Sequence, residues 1–295
     1  MLAIRQSTVY PNQVTRGSRS AKMMVNSAAT PASILIAQPT TGTVVTQTVG
    51  FLADLFQTLS RRGIHWRYSY LTLSDIAFSR NIFASNVIAD NEFTHLLFID
   101  SDMGVLPKTI LGLLDFNKPV TAVACPKRHL AWDHLIRLAA AEIGKPKEDR
   151  HTTASLVDVA LDYNVYDKGF DGSDWTAERD GDFIKVPAVG TGIMLIHRDV
   201  FEIMLAKGAA RPRTGHQPKG LLIEGAPYCD FFSQLPVPDG SMIESEDISF
   251  CKRWVEDCGG DIWVDVDSRV LHYGMRGHAG RYMTRALEDF PEIDE

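Results

Sequence analysis

The stretch His95-Leu-Leu-Phe-Ile-Asp-Ser-Asp102 decides the fold. Its four apolar residues in a row, after His95, are typical of a strand that is buried on both faces of a sheet. Two acidic residues, Asp100 and Asp102, follow directly, with only Ser101 between them. Carboxylates at this spacing can converge on a divalent cation, although an ordinary surface turn also favours Asp and Ser. The pair is therefore the first candidate site.

Strands and helices alternate around this stretch. Apolar or β-prone runs predict strands at 33–37, 65–73 and 120–124, and helical spacing of apolar residues predicts helices at 44–60, 75–90 and 107–116. Such alternation predicts an α/β fold with a parallel sheet and right-handed crossovers. Ligands bind beyond the carboxyl ends of the strands in open sheets of this kind. Both the Asp100–Asp102 turn and a predicted loop at 38–42 fall at that edge.

The second half of the chain is less regular. Further helices are predicted at 131–142, 199–207 and 245–258, and strands at 183–189, 193–196, 261–264 and 269–272. Residues 144–182 and the basic loop 208–220 are candidate acceptor-binding or lid segments, because irregular loops beside a rigid sheet often determine specificity. We expect a flexible extension at 1–32, one domain at 33–275 and a tail at 276–295.

Composition excludes several classes of protein. A net charge of −7 argues against a general binder of nucleic acid or anionic membranes. No run of apolar residues is long enough to span a bilayer, and no secretory apolar core is present. The four cysteines form no CxxC pair, which argues against a structural zinc site. A reducing, cytoplasmic compartment is expected.

The pair Glu246-Asp247 opens the last predicted long helix. Acidic residues favour a helix N-terminus through the macrodipole, and this explains Glu246. Asp247 differs, because helical spacing places it on the same face as the apolar Cys251 and Trp254. A carboxylate on the inner face can serve as a general base, so catalysis and helix capping both remain open for Asp247.

Three further features depart from ordinary patterns. Arg80 lies on the apolar stripe of its helix, so its guanidinium needs a carboxylate partner, such as Asp100 or Asp102, or a ligand. His272 follows a short predicted strand and is either structural or a metal ligand. Gly190-Thr-Gly192 separates two apolar runs. Its glycines suit either a tight turn or a backbone that approaches a substrate closely.

Taken together, these elements resemble the GT-A fold glycosyltransferases, close to family 2 and its bacterial or phage members, over residues 33–275. The resemblance rests on the order and spacing of seven short motifs. They are Pro39-Thr40, Ser79-Arg-Asn81, Leu97–Asp102, Cys125-Pro-Lys127, Val189–Arg198, Ser245–Cys251 and Leu271-His-Tyr-Gly274.

This resemblance implies a hexosyltransferase that moves a sugar from a nucleotide-diphosphate donor to an acceptor hydroxyl. UDP-sugars are favoured and GDP-sugars come second. It implies Mn²⁺ or Mg²⁺ held by Asp100, Asp102 and His272, and inversion with Asp247 as general base beside Glu246. The remaining implied residues are Pro39, Thr40, Arg80, Ser101 and Lys127 for the nucleotide, and Gly190, Thr191 and Gly192 for the sugar or acceptor.

Two alternatives remain open. A phosphohydrolase of the haloacid-dehalogenase type also places Asp-x-Asp after an apolar strand, with the first Asp as nucleophile. In the stretch Met103-Gly-Val105, Gly104 stands two places after the second Asp, where that family usually has Thr or Val. A non-catalytic binder of nucleotide sugars or glycans with the same fold is the second alternative.

Overall fold

The computed structural model describes residues 31–213, 220–237, 240 and 242–274. The predicted N-terminal extension, apart from its last two residues, and the tail at 276–295 lie outside the described residues. So does the middle of the predicted basic loop, residues 214–219.

The described chain alternates strands and helices through its first half and becomes less regular later. The strands are β1 Ser33–Thr40, β2 His65–Thr72, β3 His95–Ile99, β4 Met103–Gly104, β5 Val120–Val123, β6 Pro126–Leu130, β7 Leu161–Tyr163, β8 Arg179–Asp180, β9 Phe183–Val186, β10 Ile193–His197, β11 Pro212–Arg213, β12 Tyr228–Cys229, β13 Ile262–Asp265 and β14 Leu271–His272. The helices are α1 Thr46–Arg61, α2 Ile76–Ala89, α3 Pro107–Phe116, α4 Trp132–Ile143, α5 Thr153–Ala160, α6 Arg198–Ala206 and α7 Glu246–Lys252, with a 3₁₀ turn at Lys147–Asp149 and a π-helical turn at Arg253–Asp257.

The central sheet of the described chain has eight strands in the order β2-β1-β3-β10-β5-β13-β9-β8. β1 pairs in parallel with β2 and β3, and β5 pairs in parallel with β13. The α/β class is therefore confirmed. The sheet is mostly parallel, with β10 inserted antiparallel between β3 and β5. This insertion brings the glycine turn before β10 to the end of β3.

The core lies on both faces of this sheet, which explains the fully apolar β3. Leu97 and Ile99 face a cluster that α1 and α3 cover, whereas Leu96 and Phe98 face a cluster that α2, α6 and α7 cover. A strand buried on both sides needs apolar residues at consecutive positions, not at alternate ones.

Three element boundaries differ from the predictions. β1 continues through Pro39 and Thr40, where a loop was expected. Its pairing with β3 ends at Ala37, so the proline lies beyond the doubly paired stretch. The predicted loop 144–182 contains α5, and the predicted helix 245–258 ends as an α-helix at Lys252, where the π-helical turn begins.

The short strand β14 brings the end of the described chain back to the acidic turn. It pairs antiparallel with β4, with His272 opposite Met103. The Tyr273 backbone N–H also donates to the Asp102 carbonyl, at 2.8 Å. These contacts place His272 beside the residues that follow β3, although the two segments are far apart in sequence.

The four cysteines are free thiols within the core. Burial raises the pKa of Cys125 and Cys251 to about 12. Their thiols therefore stay protonated at neutral pH and are poor nucleophiles. Within the described ranges, every helix is too short or too polar to cross a bilayer.

The amino end of β3 generates a prediction about acid stability. Burial, with a smaller effect of His197, lowers the pKa of His95 to about 3. The unfolded chain takes up a proton at this residue below about pH 6.5, whereas the folded chain does not. Stability should therefore fall as the pH falls through that value. Between pH 7 and 5.5, the wild type should lose about 1 kcal/mol more unfolding free energy than His95→Gln in urea denaturation.

A matched control is His129→Gln, because the His129 side chain is exposed. Its pH profile should follow that of the wild type. Identical pH profiles of the unfolding free energy for His95→Gln and the wild type would contradict the lowered pKa of His95 in the folded chain.

Candidate functional site

A cavity of about 820 Å³ opens at the carboxyl end of β1 and β3. One wall is the end of β1 with the turn that follows it, and the opposite wall is the turn after β3. The lining residues are Pro39, Thr40, Thr41, Thr43, Val45, Gln47, Leu73, Ser74, Ile76, Asp100, Ser101, Asp102, Arg128, Tyr273 and Gly274. The site thus lies where open α/β sheets bind ligands.

Asp102 stands at the centre of a contact between three segments. Its Oδ2 atom lies 3.3 Å from Nε2 of His272 and 3.2 Å from a guanidinium nitrogen of Arg128. On the other side of the imidazole ring, Nδ1 lies 2.7 Å from the Pro126 carbonyl oxygen. Since a carbonyl only accepts, Nδ1 carries a proton, so Nε2 donates to Asp102 when the ring is protonated and offers a lone pair to a metal when the ring is neutral.

The charges around Asp102 favour its ionised form. Burial opposes ionisation, but the hydrogen bond and charge of His272, together with Arg128, lower the pKa of Asp102 below its ordinary value. Burial likewise opposes protonation of His272, yet Asp102 and the Pro126 carbonyl raise its pKa above the ordinary value. The pair therefore offers a carboxylate oxygen and an imidazole nitrogen side by side.

Asp100 faces away from this pair, towards a buried cation. Arg80 is only 2% exposed, and its guanidinium lies 3.0 Å from Oδ1 of Asp100 while it also pairs with the Glu246 carboxylate. Burial raises the pKa of Asp100 to about 6, although the charge of Arg80 acts in the opposite direction. The prediction that Arg80 is buried with a carboxylate partner is confirmed.

Asp247 lies next to this ion pair, in the first turn of α7. Its Oδ2 is 3.5 Å from the Asn164 side-chain nitrogen, and its Oδ1 accepts from the Ile248 backbone N–H at 2.8 Å and from the Ser245 hydroxyl. The carboxylate is partly exposed, so a substrate hydroxyl can reach it. Both the catalytic and the capping interpretation fit this position.

The glycine turn gives Asn164 its place beside Asp247. A Cβ atom at Gly190 would lie 1.9 Å from the Asn164 side-chain nitrogen, so a larger residue there would displace the Asn164 side chain. Gly192 is similarly enclosed by Met103 and Cys125, and its carbonyl accepts from the Asp100 backbone N–H at 2.9 Å. Gly190, Thr191 and Gly192 are all buried, so close backbone packing is the visible reason for both glycines.

The predicted nucleotide residues divide into two groups. Pro39, Thr40 and Ser101 line the cavity, as expected. Arg80 is enclosed by its two carboxylates, and Lys127 is exposed on β6; within the described chain, neither belongs to the cavity lining. The neighbouring Arg128 lines the cavity instead.

Sequence reasoning missed Arg128 and Asn164. Arg128 belongs to a short strand, β6, whose pairing with β7 is irregular, so alternation along β6 gives no guide to which side chain reaches the cavity. Asn164 follows β7 in a segment that looked like an unstructured loop. Its neighbours Gly190 and Asp247 are both distant in sequence, so the residues around Asn164 do not indicate this contact.

Comparison with known proteins does not assign the chain to a family. No family model matches it, and no curated protein matches it. Among solved structures, a protein from the virus STIV is similar, with 14% identity and a TM-score of 0.42 over 84% of this chain and 97% of that one.

A second similar structure is Drosophila galactosyltransferase 7, a mutant in complex with manganese, UDP-Gal and xylobiose. It has 14% identity and a TM-score of 0.40 over 86% of this chain and 79% of that one. Likeness at this level carries no weight for the activity of the present chain.

The donor atoms near Asp102 fit a divalent metal that arrives with a diphosphate. Within the described ranges, no three His, Cys, Asp or Glu side chains form a ready-made metal cluster. Asp102 and His272 form an adjacent pair, whereas Oδ1 of Asp100 pairs with the guanidinium of Arg80. A cation of the Mg²⁺ or Mn²⁺ type is often held by one or two protein groups with substrate phosphates completing its ligands. Asp102 and His272 therefore fit such a metal, and Asp100 as a third ligand stays a prediction.

The buried ion pair predicts a large stability effect. Arg80→Ala would leave Asp100 and Glu246 without their shared cation, and removing one partner of a buried pair costs about 3 kcal/mol or more. Urea denaturation should show this loss in the free energy of unfolding.

Arg67→Ala is the matched control, because Arg67 pairs with Asp90 and Glu92 but is 53% exposed. Its cost should stay below about 1 kcal/mol, as for other exposed pairs. Similar losses of unfolding free energy in Arg80→Ala and Arg67→Ala would refute the stabilising role of the buried ion pair.

Proposed function

We propose that this chain is a metal-dependent glycosyltransferase of the GT-A type. It would move a sugar from a nucleotide-diphosphate sugar, with UDP favoured over GDP, to an acceptor hydroxyl. The observation that carries the proposal is the contact of Asp102 with His272 at the mouth of the large cavity. A carboxylate and a correctly oriented imidazole beside a cavity of this size suit a metal–diphosphate ligand.

The donor would bind in the cavity between the end of β1 and the turn after β3. Asp102 and His272 would hold the metal, which when bound neutralises the charge of the departing diphosphate. Arg128 adds a cation to the same wall, and its exposed, long side chain can turn from Asp102 to a phosphate oxygen. Thr40, which caps its own loop through the Thr43 carbonyl, shapes the opposite wall.

Asp247 would act as the general base. Its carboxylate accepts the proton of the acceptor hydroxyl while the hydroxyl oxygen forms a bond to the anomeric carbon. The bond from that carbon to the phosphate oxygen breaks, and its electron pair leaves with the nucleoside diphosphate. Direct displacement of this kind inverts the anomeric carbon.

Two contacts support this role for Asp247. Asn164 lies at one oxygen of the carboxylate and can orient it. Glu246, the preceding residue, is held by Arg80, which also holds Asp100. The first turn of α7 is thereby tied to the end of β3, and the proposed base has a defined position relative to the donor cavity.

The proposal predicts that nucleotide binding depends on metal and on Asp102. Titration calorimetry of UDP should show binding in Mn²⁺ and a loss of affinity of about 100-fold or more in Asp102→Ala. Asp115→Ala, which removes an exposed acidic residue of α3, should bind like the wild type.

If the affinity for UDP in Mn²⁺ is unchanged in Asp102→Ala, the proposed donor site is wrong. Capture of a fluoroberyllate at Asp100, as an analogue of a phospho-aspartate, would instead favour the phosphohydrolase.

A separate prediction concerns Asp247. Asp247→Asn keeps the shape of the side chain but cannot take the proton, so UDP affinity should persist while turnover of UDP-sugars falls about 100-fold or more. Release of UDP from a panel of UDP-sugars measures this turnover. Asp257→Asn, at an exposed position after the same helix, is the control. Full turnover in Asp247→Asn would remove the base assignment.

A further inference from the structure

A second cavity, of about 360 Å³, is lined by the segment that follows Asn164 and by β9. It is built on the segment after β7, which runs antiparallel to residues 188–190 through a bridge between Val165 and Val189. The lining residues are Val165, Tyr166, Asp167, Lys168, Asp174, Trp175, Ala177, Ile184, Lys185 and Val186. Its volume lies at the lower end of the range of small-molecule sites, about 300–1,000 Å³.

One short segment connects this cavity to the proposed base. Asn164 contacts the Asp247 carboxylate, and Tyr166, two residues later, lines the cavity. Burial raises the pKa of Tyr166, and the negative charge of Asp247 adds to the effect, because the phenol and the carboxylate are neighbours. The segment 164–166 therefore connects the lining of this cavity to the carboxylate of Asp247.

Two lysines, Lys168 and Lys185, and two aspartates, Asp167 and Asp174, are the charged residues of this lining. Lys168 pairs with Asp174, and Lys185 lies 2.6 Å from Asp261. Each lysine is thus paired with an acidic partner, as Arg128 is with Asp102, but this lining has no histidine that could join a carboxylate in holding a divalent cation for a diphosphate. This cavity suits a ligand that carries many hydrogen-bonding groups and no net charge.

Its two aromatic side chains are placed for contact with such a ligand. The Trp175 indole N–H donates to the Lys185 carbonyl at 3.1 Å, which fixes the ring against β9. A tight loop, with Gly169 N–H donating to the Ser173 carbonyl, returns the chain so that Lys168 and Asp174 pair. Tryptophan and tyrosine offer apolar faces with little loss of conformational freedom on binding.

We propose that this cavity binds a neutral saccharide, the sugar of the acceptor next to the hydroxyl that reacts. Trp175 and Tyr166 would cover the apolar face of the sugar ring, and Lys168, Asp174 and Lys185 would bind its hydroxyls. The acceptor is then a glycan, and not a simple alcohol or an anionic lipid. The inference rests on the proposed function, because it assigns the acceptor of the same reaction.

Saturation-transfer NMR on the full chain tests this site with four probes: lactose, cellobiose, maltose and N,N′-diacetylchitobiose. At least one should receive magnetisation from the wild type. Trp175→Ala should weaken its binding about tenfold, because the stacked face is lost. Trp175→Phe keeps an aromatic face and should stay within about threefold of the wild type. Trp132→Ala, on α4 and away from both cavities, is the matched control and should bind normally.

UDP titration in Mn²⁺ separates this inference from the proposed function. Trp175→Ala should keep the UDP affinity of the wild type. Absence of binding by all four disaccharides, or equal binding by wild type and Trp175→Ala, would overturn the saccharide site even where UDP binds. Saccharide binding that depends on Trp175, in a chain that does not bind UDP, would overturn the transferase and the acceptor role together and leave a glycan-binding cavity.

Discussion

The arrangement of the site depends on one buried cation. Arg80 is almost wholly enclosed, and a charge in that position is tolerated only with carboxylate partners. One partner, Asp100, ends the central strand β3, and the other, Glu246, begins α7. Because both must meet the same guanidinium, the start of α7 is held at the carboxyl edge of the sheet. The proposed base, Asp247, takes its place from this constraint.

The helix that carries Arg80, α2, also binds a second part of the chain through polar groups. The Asn81 side chain donates to the Tyr228 hydroxyl and accepts from the Phe232 backbone N–H, and Ser85 accepts from the Cys229 N–H. Buried polar groups of this kind must be paired, so they specify the path of the segment that docks on them. This explains why α2 buries polar residues on its core side and still packs stably.

The sequence predicted those parts of the fold and site that have a local cause. The apolar run of β3, the acidic turn after it and the burial of Arg80 follow from periodicity, and the structure confirms them. The insertion of β10 into the sheet and the pairing of β14 with β4 depend on contacts between distant segments. Two-residue strands have no recognisable pattern, so the contact of His272 with Asp102 could be expected only from resemblance. The contribution of Arg128 could not be expected at all.

The net charge of −7 looks unfavourable for binding a nucleotide diphosphate. Location accounts for this, because the acidic groups Asp100, Asp102 and Glu246 lie beside a cation or beside the imidazole of His272. Asp100 and Glu246 share the positive charge of Arg80, while Asp102 lies between His272 and Arg128. A divalent cation added there would make the wall net positive. The second cavity keeps its lysines paired with acidic residues and offers no such charge. The two cavities therefore differ in whether a divalent cation can be held beside them, and the two proposed ligands differ in charge in the same way.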